Sequence, residues 1–281
     1  MSRWCLAVAL GFAASACLAQ SVTLDKIRKS GTITLGYVEG AVPFSFVHEG
    51  EPQGYSVELC RRIAGDLRRQ LKLTKLDTKW VALTVQNRLE AVRKGQVDLE
   101  CSTTSRTLSR GELVDFSLLT FVDGASVLVR REGPLRRLSD FAGKRLAVIS
   151  GTTAERGIGE AIEKMRIDAQ LVPVKGRAEG LALLDANRVD GVVSDRLALY
   201  GAAITSPNAT TYHLFNEIYT VEPYALALRR GDTDFRLAVD RALAGLYRDG
   251  GIGEIYDKWF KQLGDPPTIL GALYLLQGLQ E

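Results

Sequence analysis

The sequence predicts an α/β protein made of two similar units. Three observations carry this. Short apolar alternations recur between amphipathic helical stretches. The alternation runs through once up to about residue 122 and again from residue 125. Polar loops rich in Ser, Thr, Arg and Asp follow the strand-like segments, where open α/β sheets carry their ligand sites.

In order, residues 21–29 read as a short helix and 32–38 as a strand, followed by an aromatic-bearing loop at 42–46. Residues 54–71 form an amphipathic helix and 76–81 a strand. A helix at 85–94 stops at Gly95, a common C-cap residue. A strand at 97–99 then opens into the junction Glu100 to Arg110, which crowds Ser and Thr hydroxyls with two Arg before the apolar run 113–122. In the second unit, strands are expected at 125–130, 145–149, 170–174 and 189–193. The intervening helices are 138–141, 154–164 and 178–186, with another at 196–203. A strand at 225–228 and helices at 234–249 and 253–262 close the pattern. Residues 268–281 are apolar but too short to cross a bilayer, and read as a tail helix packed on the body.

The chain has 281 residues, 46% hydrophobic and 25% charged, with a formal net charge of +3. That length suggests one large domain or two modest ones. Its Arg pairs are separated, so no basic arm for nucleic acid is expected. Residues 1–19 have the form of a secretory signal peptide, with Arg3, an apolar stretch and cleavage after Ala19. Ala14-Ser15-Ala16-Cys17 offers a second reading, lipid anchoring through Cys17. Either way the destination is outside the cytoplasm. Cleavage leaves Cys60 and Cys101. They are candidates for a disulfide if the helix bearing Cys60 packs beside the strand ending at Cys101; otherwise they are two buried thiols.

The loops name the chemistry. A helix start favours an anion through its free N–H groups, and Arg presents a planar fork that fits a carboxylate. Arg110, Thr103 and Ser105 therefore suit a ligand carboxylate, and Ser150-Gly151-Thr152-Thr153 adds helix-start donors. Asp195, directly after a strand, suits a ligand ammonium or serves as an N-cap. Phe44 either covers an apolar part of the ligand or packs in the core. Arg88 at a helix start opposes the helix dipole, which favours a ligand-facing role. Two His in unrelated contexts, and no nucleophile elbow, phosphate loop or metal-ligand spacing, argue against an enzyme, a cofactor or a metal.

An ordered set of segments over residues 22–267 resembles the periplasmic solute-binding proteins of bacterial ABC amino-acid importers (family 3), most of all their glutamate/aspartate-binding branch. These are Gly36-Tyr37, Val42-Pro43-Phe44-Ser45-Phe46, Gly54-Tyr55-Ser56, Gln86-Asn87-Arg88, Asp98-Leu99-Glu100-Cys101 and Thr103-Thr104. Arg110, Asp115-Phe116-Ser117, Ser150-Gly151-Thr152-Thr153, Asp195 and Tyr256-Asp257-Lys258-Trp259-Phe260 continue the order. The resemblance implies the two-lobed type II fold with two crossover hinge segments. Lobe 1 would be 22–123 plus 222–267, lobe 2 would be 124–221, and 268–281 a tail. It implies a periplasmic, monomeric receptor that passes a free amino acid to ABC importer membrane subunits. Arg110 would clamp the α-carboxylate with Thr103, Ser105 and Thr152, Asp195 would take the α-ammonium, and Arg88 would reach a side-chain carboxylate.

Two departures from that branch bear on the ligand. An Arg usual two residues after Gly36 is Val38 here, and a His that helps hold the distal carboxylate aligns with Arg177. Arg88 with Arg177 suggests an acidic or amide amino acid; Val38 makes a neutral, apolar ligand the rival. The half-cystine that usually pairs with Cys101 aligns near Leu226, leaving Cys60 as its remaining candidate. A further rival is a cyclohexadienyl-dehydratase-like enzyme, which would need a second carboxylate beside Asp195; none stands there in the sequence.

Overall fold

Residues 21–280 are described by a computed structural model of the chain; the expected signal peptide, 1–19, and with it Cys17, lie outside them. The first part of the chain runs α1 (Val22–Ser30), β1 (Thr32–Val38), the hairpin β2 (Phe46–His48) and β3 (Glu51–Gln53), and α2 (Tyr55–Gln70). It continues through β4 (Asp77–Leu83), α3 (Arg88–Arg93), β5 (Leu99–Glu100) and the long β6 (Val114–Asp123). The second part is β7 (Ala125–Arg130), β8 (Arg145–Ile149), α4 (Thr153–Met165) and β9 (Gln170–Val174). Then come α5 (Arg177–Asp185), β10 (Gly191–Asp195), α6 (Arg196–Ile204) and β11 (Tyr212–Leu214). The chain returns through β12 (Glu222–Arg229), α7 (Thr233–Arg248), α8 (Gly251–Phe260) and α9 (Thr268–Gln277).

Two sheets result, ordered β4-β1-β5-β12-β6 and β11-β7-β10-β8-β9. In the first, β1 lies parallel to β4 and β5, while β12 runs antiparallel to β5 and β6. In the second, β8 lies parallel to β9 and β10, while β7 runs antiparallel to β10 and β11. The chain crosses between sheets twice, from β6 to β7 through Gly124 and from β11 back to β12. The two crossings touch: a Cβ on Gly124 would lie 2.6 Å from the Thr220 carbonyl oxygen, so the close approach needs glycine.

The first core is built on aromatics. Phe44 is fully buried, with ring centroids 5.0 Å from Phe121, 5.4 Å from Tyr224 and 5.3 Å from Phe260. It sits in the core rather than over a ligand, and leaves no surface for one to touch. The tail helix α9 docks on the same body. The Tyr274 and Tyr55 hydroxyls lie 2.7 Å apart. The Gln277 amide takes the N–H of Leu119 and donates to its carbonyl, at 2.8 and 2.9 Å, pairing backbone groups on the edge strand β6.

Cys60 on α2 is bonded to Cys101, just past β5, across 41 residues of sequence. Closing a loop of that length removes about 4 kcal/mol of unfolded-chain entropy. The bond also ties to the core the strand end from which residues 102–105 emerge.

Candidate functional site

The carboxyl ends of β1, β4 and β5 face those of β8, β9 and β10, so the polar loops of both sheets meet in one cleft. The lobes touch there. The Gln86 side-chain amide donates to the carbonyls of Ser150 and Lys175, both at 3.3 Å. A Cβ on Gly201 of α6 would fall 2.0 Å from the Val42 carbonyl oxygen, so the helix backbone lies directly on the 41–45 loop.

Three guanidinium groups line this junction. Arg88, the first residue of α3, is buried, with Nη1 3.3 Å from the Ser102 hydroxyl and 3.4 Å from the Thr103 carbonyl, both of which accept. Arg110 donates to the Ser105 carbonyl at 2.8 Å and across the cleft to the Gly151 carbonyl at 3.4 Å. Burial, and next the Arg88 charge, push its pKa down to about 10. The nearby carboxylates of Glu222, Glu100 and Asp195 oppose this shift without cancelling it. Arg177, the first residue of α5, is 7% exposed. Its Nη2 donates to Asp195 at 2.7 Å, while its Nε is buried without a partner. Arg177 and Val38 line the same cavity of about 320 Å³, together with Leu83, Val85 and Ile149.

The carboxylates are arranged differently from the sequence expectation. Asp195 precedes α6 but makes no capping hydrogen bond; it faces Arg177 instead. The oxygen that takes the Leu197 N–H, at 3.1 Å, comes from Asp123 at the first crossing. Burial raises the Asp195 pKa, and the Arg177 charge opposes that rise. Burial, followed by the Asp195 charge, pushes Asp123 up to about 7.

A carboxylate that sequence reasoning missed, Glu222, is 1% exposed at the start of β12. It takes the hydroxyl protons of Ser105, of Thr153 at 2.5 Å and of Thr220 at 2.7 Å. Its charge raises the Asp195 pKa, so a second carboxylate does stand near Asp195 in space. Only a bare Glu before an apolar strand marks it in the sequence; the returning crossover gives it its place.

Two expected ligand donors are otherwise engaged. The Ser105 hydroxyl has one proton, and Glu222 takes it, so toward a ligand this oxygen can only accept. Thr152 is the N-cap of α4: its Oγ1 accepts from the Glu155 N–H at 3.0 Å and donates to the Ile149 carbonyl at 2.8 Å. Help from this turn to an anion therefore rests on helix-start N–H groups. Thr103 is buried beside Arg88, which donates to its carbonyl. Among the described residues no cluster of His, Cys, Asp or Glu suits a metal ion, and no helix is long and apolar enough to cross a membrane.

Residues 33–262 match the family model of bacterial extracellular solute-binding proteins, family 3. The chain belongs to this family. Among relatives of this solute-binding protein is an L-glutamate/L-aspartate-binding protein of Pseudomonas aeruginosa. It is 31% identical over 242 residues, 85% of this chain and 80% of the relative. A glutamate/aspartate import solute-binding protein of Salmonella typhimurium is 28% identical over 94% of this chain and 88% of its own length. In three dimensions the solute-binding protein is similar to an ancestral arginine-binding protein bound to arginine. That likeness has a TM-score of 0.73 at 26% identity, over 82% of this chain and 98% of the other.

Proposed function

We propose that this family 3 protein is an extracytoplasmic receptor for an acidic amino acid, glutamate or aspartate, which it delivers to the membrane subunits of an ABC importer. The observation that carries the reading is Arg177, a buried guanidinium whose Nε has no partner, on a residue that lines the cavity between the lobes. Burying such a donor unmet is costly, and a side-chain carboxylate would satisfy it. In this reading Arg110 holds the α-carboxylate with the helix start at Thr152. Asp195 takes the ammonium, the Ser105 oxygen accepts a second ammonium proton, and Arg88 with Arg177 attracts the distal carboxylate. Val38 and Leu83 pack on the ligand's methylenes. The relatives named for glutamate and aspartate support the same class.

How Asp195 and Glu222 are held supports binding over catalysis. Asp195 is paired with Arg177, and Glu222 accepts three hydroxyl protons, so neither is poised as a free proton donor. A thermal-shift screen of the mature protein against the common amino acids tests the reading. Glutamate or aspartate should raise the melting temperature saturably, by mass action on the folded state. A shift confined to apolar amino acids would refute the acidic ligand, and steady turnover of prephenate or arogenate would refute a pure binding role.

A further inference from the structure

We infer that Glu222 is a latch that holds the lobes closed, with Thr153 as its striker; the inference builds on the receptor reading but does not depend on which amino acid binds. The two oxygens of this carboxylate have separate duties. Oε1 accepts from Thr220 on the returning crossover, at 2.7 Å. Thr220 Oγ1 in turn accepts the N–H of Ala125, just past the other crossover, at 2.9 Å. Glu222 is thereby fixed to both strands of the hinge. Oε2 accepts from Ser105 of the first lobe and from Thr153, the first residue of α4 in the second lobe.

Ser105 moves with Glu222, because it bridges to Tyr224 on the same strand. Thr153 moves with the second sheet. Separating the lobes therefore breaks the Thr153 bond and leaves the Ser105 bond intact. The Thr153 hydroxyl also lies 3.4 Å from the Ser105 oxygen, so a single proton faces two acceptors of the opposite lobe. The cleft-spanning hydrogen bonds from Gln86 and Arg110 are exposed and 3.3 to 3.4 Å long, and the Leu197 N–H reaches Asp123, beside the hinge, at 3.1 Å. The Thr153 bond is charge-assisted, shorter and part-buried, which makes it the strong one. Packing holds the striker in place: a Cβ on Gly157, one turn along α4, would meet Thr220 Cγ2 at 2.0 Å. The helix thus lies against the hinge strand that carries the latch.

The device links closure to the site. Ser105 and Asp195 both feel Glu222, so the latch forms beside the place given to the ligand ammonium. A receptor with this latch closes partly without ligand and releases ligand slowly once closed.

The test uses small-angle scattering on the ligand-free mature protein and stopped-flow release of L-glutamate, with Thr153→Val, Thr153→Ser and Glu222→Gln. Valine keeps the shape of threonine and removes the proton; serine keeps the proton. Thr153→Val and Glu222→Gln should enlarge the ligand-free particle. They should also speed glutamate release by about tenfold, with association changed by less than about threefold. Thr153→Ser should restore both. A ligand-free scattering curve for Thr153→Val that superimposes on the wild type overturns the latch, whatever the ligand proves to be. Release from a folded Thr153→Val protein at the wild-type rate does so too. Absence of any glutamate signal in the wild type counts against the acidic-ligand reading alone, and the scattering then decides the latch.

Discussion

Arg110→Ala is expected to weaken amino-acid binding severely while leaving the fold intact. Its guanidinium is aimed into the cleft and its protein partners are two backbone carbonyls, which water can serve after truncation. Its pKa, pushed down to about 10, reflects burial and the neighbouring Arg88 without a dedicated counter-ion. A ligand carboxylate would supply one. Truncating one partner of a hydrogen-bonded charge pair costs about 2–5 kcal/mol, so affinity should fall by about one and a half to three and a half orders of magnitude. Calorimetric titration would measure that loss, and the melting temperature of the ligand-free variant should stay near the wild type. Arg110→Lys keeps the charge without the two-pronged fork and should fall between. Wild-type affinity in Arg110→Ala would remove this residue from the site.

Asp195→Ala has a different signature, because Asp195 already has a partner. Removing it strands the Arg177 guanidinium in a buried position, with Nε already unpartnered. Breaking such a pair from one side costs about 3–5 kcal/mol of stability. Adding Arg177→Met to Asp195→Ala replaces the stranded charge with an apolar chain, and should recover much of that loss in a urea titration. Binding should not return in the double variant, since both the ammonium and the side-chain contacts are gone. A single variant as stable as the wild type would mean that the pair contributes nothing. A double variant that binds normally would place the ligand elsewhere.

Much of this was legible in the sequence, for reasons that differ by residue. The two sheets follow from short apolar segments such as 32–38, which alternates in sequence, and 145–149, a continuous apolar run; both signals are set by the local chain. Arg88 opens a helix, where a cation opposes the dipole, and its placement betrays a use beyond solvation; Arg177 stands out only through its alignment with a His of the related branch. Phe44 shows what local reading leaves open. An aromatic in a Pro-bearing loop can cover a ligand or pack in the core, and the choice is made by rings of α2, β6, β12 and α8 that converge on it from distant parts of the chain. Asp195 looks like a cap because it precedes a helix, but Asp123, far away in sequence, serves that helix start and leaves Asp195 to Arg177. Glu222 was invisible for a similar reason. Its three hydroxyl partners lie on the first lobe, the second lobe and the hinge, and only the double crossover gathers them.

The account's central claim is that Arg88 and Arg177 read a side-chain carboxylate despite the apolar Val38. Calorimetric titration of the mature protein with L-glutamate and with L-glutamine tests it most directly, because the two differ by one charged oxygen and little in shape. Satisfying a buried guanidinium with a carboxylate rather than an amide should favour glutamate by at least about tenfold in Kd. Equal binding of the two, or a preference for glutamine or an apolar amino acid, would contradict it.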